Sequence, residues 1–168
     1  MNSSLLLGLT PGSLATQSVQ SYLRLRLSDV AIAVIPTIEA QEVVMVNPHQ
    51  LTLMPNMPST VLGLFNHRNR VVWMIDLPQL LGFPALSFDL RQYAVVVIQV
   101  AGQLLGLAIQ QVEGLSRLDP SSIQSPVGAV EASLVPYLRG CYLYDQELLL
   151  VLDSAAIANS NNLKPQVT

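Results

Sequence analysis

One cysteine, one lysine and two histidines in 168 residues leave little reactive chemistry to work with. A lone Cys141 excludes an intrachain disulfide and a thiolate cluster for zinc, and its place in an apolar strand marks it as a buried structural thiol. His49 and His67 stand in no H-E-x-x-H or comparable metal pattern. No G-x-S-x-G elbow marks a nucleophile, and the glycines form neither G-x-G-x-x-G nor G-x-x-x-x-G-K, so no cofactor or metal is expected. Charge is scarce too: 11% of residues are charged, where about 25% is ordinary. The net charge of −3 and pI near 5.2 speak against nucleic acid, which calls for a basic face. No apolar run approaches the ~20 residues of a membrane helix. Leu5, Leu6, Leu7 and Leu9 form a short tract with no preceding Lys or Arg, a poor signal peptide, so a cytoplasmic protein without a transmembrane segment is expected.

What the chain has in excess is apolar side chains, 51% of residues, with a mean hydropathy of +0.45. They must be sheet core or partner-facing surface. The stretch Val61 to Leu81 organises them: Val61–Phe65 and Val71–Ile75 read as strands, the polar run Asn66, His67, Arg68, Asn69, Arg70 as the turn, and Asp76 as the cap of a short helix. Asn69 suits a left-handed turn position. The phrase recurs 77 positions on, where Gly140 aligns with Gly63 and Asp153 with Asp76 without a gap. Tyr22–Ile35 has a looser counterpart in Tyr93–Ile109, so one β-rich unit occurs twice. Asp76 and Asp153, at equivalent strand-to-helix junctions, read as twin N-caps rather than an acid–base pair.

In chain order, residues 1–20 are expected to form a mobile arm and residues 21–158 one folded domain. Tyr22 to Leu27 alternates with Arg24 and Arg26, a strand with one wet face. Ile38–Val46 follows as a third strand or a strand entered through a helical turn, and a proline-containing loop leads to the central hairpin. A first barrel covers about 21–83. Tyr93–Val100, Gln103–Ile109, Val112–Leu118, Leu138–Tyr144 and Glu147–Leu152 are the strands of a second, about 91–152, closed by a helix at 153–158. Residues 159–168 read as a polar tail.

The central stretch resembles the signature of the CheW family of chemotaxis coupling proteins: an apolar pair, Gly, an apolar strand, Asn-Leu-Arg-Gly, apolar residues, then Asp-Leu. Gly63, Asn66, Arg68, Asp76 and Leu77 match. The likeness extends from about Tyr22 to Ile157 and includes Ile35–Val43, similar to the family's strand ending in apolar-Glu-apolar. Departures are His67 in place of Leu, Asn69 in place of Gly, which the turn tolerates, and Gln110 in place of Asp; His67 and Gln110 put the standard partners in question and point to a dedicated pathway.

The resemblance implies an all-β fold of two SH3-like five-stranded barrels about a shared apolar core, without catalytic activity. It implies an adaptor between a methyl-accepting chemoreceptor or photoreceptor and the regulatory domain of a CheA-like histidine kinase, in chemotaxis or a taxis such as phototaxis. Such an adaptor is cytoplasmic and recruited to membrane receptor clusters. The receptor contacts expected are Glu42, Gly63, Asn66, His67, Arg68 and Asn69, with Arg68 paired to Glu42 beside the docking groove. For the kinase, Val43 to Val46 is a run of four apolar residues, two of which must point away from the core; Val44 and Val46 are the expected contacts. The alternative is a small β-barrel ligand-binding domain or enzyme using His67 and Asp76.

Overall fold

The computed structural model describes residues 18–87 and 89–165. Residues 1–17 of the expected arm and 166–168 of the expected tail lie outside the described residues. Among those described there are ten strands: β1 (Gln20–Arg26), β2 (Ile32–Pro36), β3 (Ala40–Val46), β4 (Val61–His67), β5 (Arg70–Asp76), β6 (Tyr93–Val100), β7 (Gln103–Ile109), β8 (Gln111–Leu118), β9 (Leu138–Tyr144) and β10 (Glu147–Leu152). Two short helices, α1 (Leu77–Leu80) and α2 (Ser154–Ala158), follow β5 and β10.

The strands form two five-stranded sheets, ordered β8-β1-β2-β10-β9 and β3-β6-β7-β5-β4. Hairpins make the local antiparallel pairs, while β2 with β10 and β5 with β7 are parallel and join distant parts of the chain. The expected division into barrels at 21–83 and 91–152 is therefore corrected. One sheet is the contiguous middle, residues 40–109, and the other is assembled from the two ends. The chain changes sheet after Pro36 and again at Gln110, part-way through each expected barrel.

The repeat survives this exchange and is visible in detail. Each copy gives its first two strands to one sheet and its last three to the other. Thr52 bridges Leu64, and Gln124 bridges Cys141 at the equivalent place. A Cβ on Gly63 would lie 2.7 Å from the Thr52 carbonyl oxygen, and one on Gly140 within 2.4 Å of that of Gln124. The crossing segments leave no room for a side chain. Asp76 accepts from the Gln79 amide at 3.0 Å and Asp153 from that of Ala156 at 3.1 Å, the expected twin caps.

Three apolar clusters explain the hydropathy. A shared core between the sheets takes Leu25, Ala33, Ile35, Ile75, Val96, Ile98, Leu107, Leu150 and Leu152. The opposite faces of the same strands fill a separate core within each sheet: Val72, Met74, Val95 and Val97 in one, Ile32, Val34, Leu149 and Val151 in the other. Strands buried on both faces lose the apolar–polar alternation and read as continuous apolar runs.

The C-terminal end is a second correction. Residues 159–165 do not trail as a tail. Ser160 is buried and its hydroxyl lies 2.9 Å from that of Tyr137, Asn162 donates to the same tyrosine, and Thr60 donates to the Asn162 carbonyl at 2.7 Å. A polar composition does not prevent packing where each polar group finds a partner.

Candidate functional site

The β4–β5 hairpin closes more tightly than its polar run implies. Asn66 pairs with Val71 and His67 with Arg70, so both strands run on through the polar residues and only Arg68 and Asn69 form the loop. An exposed strand end needs its ladder bonds, not apolar side chains. Arg68 and Asn69 have φ of 53° and 62°, the left-handed pair of a two-residue turn whose twist matches the strands. Asn66 Oδ1 accepts from the Asn69 amide at 3.1 Å and fixes the corner.

This turn reaches β3, at the far edge of the same sheet. Glu42 Oε1 accepts from Arg68 Nη2 at 3.0 Å, as the sequence led us to expect. Its other oxygen, Oε2, lies 2.7 Å from His67 Nε2, a contact that no local feature of the sequence indicates. The only signal was the departure of position 67 from the family pattern. The His67 ring is also packed 6.4 Å from that of Phe65, tilted by 54°. The Glu42 and His67 side chains are 30% and 22% exposed while that of Arg68 is 75% exposed, so the pair is worth at most ~1 kcal/mol of stability. What the cluster offers is an outward guanidinium on a fixed corner.

Five of the six expected receptor contacts thus meet Glu42 or the turn directly: Glu42 itself, His67, Arg68 and, through the backbone corner, Asn69 with Asn66. Gly63 does not join them. It is buried, with φ of 144°, and its place is set by the close approach of Thr52.

The kinase candidates are corrected as well. Val46 is 2% exposed and Val44 packs against the same apolar cluster, whereas Val43 and Met45 point outward at 43% and 54% exposure. Four consecutive apolar residues carry no phase, and the packing of β3 on β6 supplies it.

His67 and Asp76 do not come together as a catalytic pair. Asp76 is 1% exposed and its second oxygen accepts from the Leu86 amide at 2.9 Å. Burial pushes its carboxyl above the usual range, and the two backbone donors pull it part of the way back. Among the described residues no group of three or more His, Cys, Asp or Glu is placed to hold a metal. The cavity beside the C-terminal segment, about 380 Å³, is walled by Met57, Val61, Trp73, Ile75, Leu105 and Leu163 among others, and no carboxylate, imidazole or thiol lines it.

Residues 21–162 match the family model of the CheW-like domain. The chain belongs to the CheW-like domain family. It is 27% identical over 107 residues to a probable chemotaxis protein CheW of Rhizobium etli, an alignment covering 63% of this chain and 68% of that one. Its fold is similar to that of the scaffolding protein TtCheW from Thermoanaerobacter tengcongensis, with a TM-score of 0.75 at 19% identity over 89% of this chain and 98% of the other. The CheW family is one of non-enzymatic scaffold proteins in chemotaxis. Among the described residues no helix is long and apolar enough to cross a membrane.

Proposed function

We propose that this CheW-like chain is a cytoplasmic adaptor that couples a methyl-accepting receptor to the regulatory domain of a CheA-like histidine kinase at membrane receptor clusters. The pathway is chemotaxis or a related taxis such as phototaxis. The observation that carries the receptor half is the bridge from Glu42 on β3 to His67 and Arg68 at the β4–β5 turn, which spends little on stability and presents Arg68 to solvent. Charged groups held this way set partner choice and docking rate more than folding energy. The kinase half is supported by Val43 and Met45, apolar and outward-facing on an edge strand beside that bridge. Interface centres are depleted of charge, and β3 has its second edge open.

A ligand-binding reading rests on the cavity of about 380 Å³, which falls in the size range of small-molecule pockets. Recovery of tagged protein from its native cells separates the two. The adaptor brings down one receptor and one histidine kinase, the receptor lost with Arg68→Glu and the kinase with Met45→Glu. Recovery of neither partner, with a small molecule retained instead, would replace the adaptor with a ligand-binding module.

A further inference from the structure

We infer that His67 is a positioning residue that sets how Arg68 is presented to the receptor, and that it is a specificity determinant of this chain. The inference rests on the receptor-docking reading of the β4–β5 turn. Its starting point is the division of one carboxylate between two donors: Oε2 of Glu42 to His67 Nε2 at 2.7 Å, and Oε1 to Arg68 Nη2 at 3.0 Å.

An ionised carboxylate only accepts, so the proton of this contact sits on Nε2 of the imidazole. With Oε2 occupied, Arg68 is held by a single nitrogen. A guanidinium facing an unshared carboxylate would close on both oxygens as a bidentate pair and lie back over Glu42. Here Glu42 is its only side-chain partner among the described residues, and the arginine side chain stays 75% exposed. Its remaining N–H groups are left for an acceptor on the docking partner, a carboxylate or main-chain carbonyl oxygen. His67 is held in place for this: it is paired with Arg70 in the ladder, packs near Phe65, and is only 22% exposed. Leu, which the resemblance places at this position, offers no donor to Glu42. A leucine in this place would release Oε2 to Arg68 and change the pose.

The test is titration calorimetry with a helical-hairpin fragment of the receptor recovered with the tagged chain, against wild type, Arg68→Ala, His67→Leu, His67→Gln and the double variant His67→Leu/Arg68→Ala. Arg68→Ala should weaken binding roughly tenfold and His67→Leu roughly three- to tenfold. His67→Gln, whose amide nitrogen can replace Nε2 as donor, should recover to within about twofold, and His67→Leu should add nothing once Arg68 is gone. In the free protein, nitrogen NMR should find the His67 proton on Nε2 and find that preference lost in Glu42→Ala. Full affinity in His67→Leu while Arg68→Ala binds weakly would overturn the role of His67 and leave the docking site standing. Full affinity in Arg68→Ala would remove the site and the inference together. An Nε2 without a proton in the wild type would overturn the inference without reference to any partner.

Discussion

At the scale of single residues, buried polar groups in this chain are structural and exposed ones are available for recognition. Asp76 shows the first case. Its carboxylate joins β5 to α1 and to the segment at Leu86 through two backbone donors, yet it is almost wholly buried. Burial raises its folded pKa above the unfolded value near 4. A raised carboxyl binds protons more tightly folded than unfolded, so its contribution to stability is complete below about pH 4 and is lost as pH rises through the folded value. Asp76→Asn should remove that decline, because the amide does not titrate, while costing about 1–2 kcal/mol for the backbone donor it cannot satisfy. Urea unfolding of the two proteins across pH 4 to 7 measures the difference in slope, and equal slopes would mean that Asp76 does not titrate differently in the fold.

At the scale of elements, β3 decides which apolar side chains the proposed kinase-facing surface can use. Its inward residues join a core and its outward ones do not, although the sequence Val43-Val44-Met45-Val46 looks the same from either side. Val43→Glu or Met45→Glu should leave thermal unfolding within ~0.5 kcal/mol of wild type and abolish kinase recovery, whereas Val46→Glu buries an unpaired charge and should cost 3 kcal/mol or more. Loss of folding in both, or of kinase binding in neither, would remove the outward face of β3 from the interface. The same strand shows what the sequence could and could not convey. Strand positions, the caps at Asp76 and Asp153 and the paired glycines were legible because each depends on residues nearby in sequence. The phase of β3, the shared carboxylate at Glu42 and the packing of residues 159–165 were not, because each is set by a neighbour far along the chain. His67 pairs with Glu42 across 25 positions, and nothing local in either segment announces it.

At the scale of the whole molecule, the exchange of strands between the two copies of the repeat makes the two sheets one folding unit. Strands buried on both faces carry no sign of which partner each takes, so order along the chain alone divides it wrongly between the sheets. Because β2 lies against β10 and β5 against β7, residues 21–83 and 91–152 expressed separately should each lack cooperative unfolding, and mixing them should restore one transition. A half that folds alone would show that the exchange is not what holds the sheets together. In the proposed function the same architecture serves two partners, with the Glu42–Arg68 corner at the end of β3's sheet and the apolar edge of β3 close by. The most direct test of the adaptor is a charge-exchange cycle at that corner, with receptor-dependent activity of the co-purified kinase as the readout. Arg68→Glu and Glu42→Arg should each reduce that activity, since each sets like charges against one another at a contact now 3.0 Å long. The double exchange should regain part of the loss. Unchanged activity in both single variants, or additive losses with no recovery in the double, would contradict a receptor-docking role for this pair.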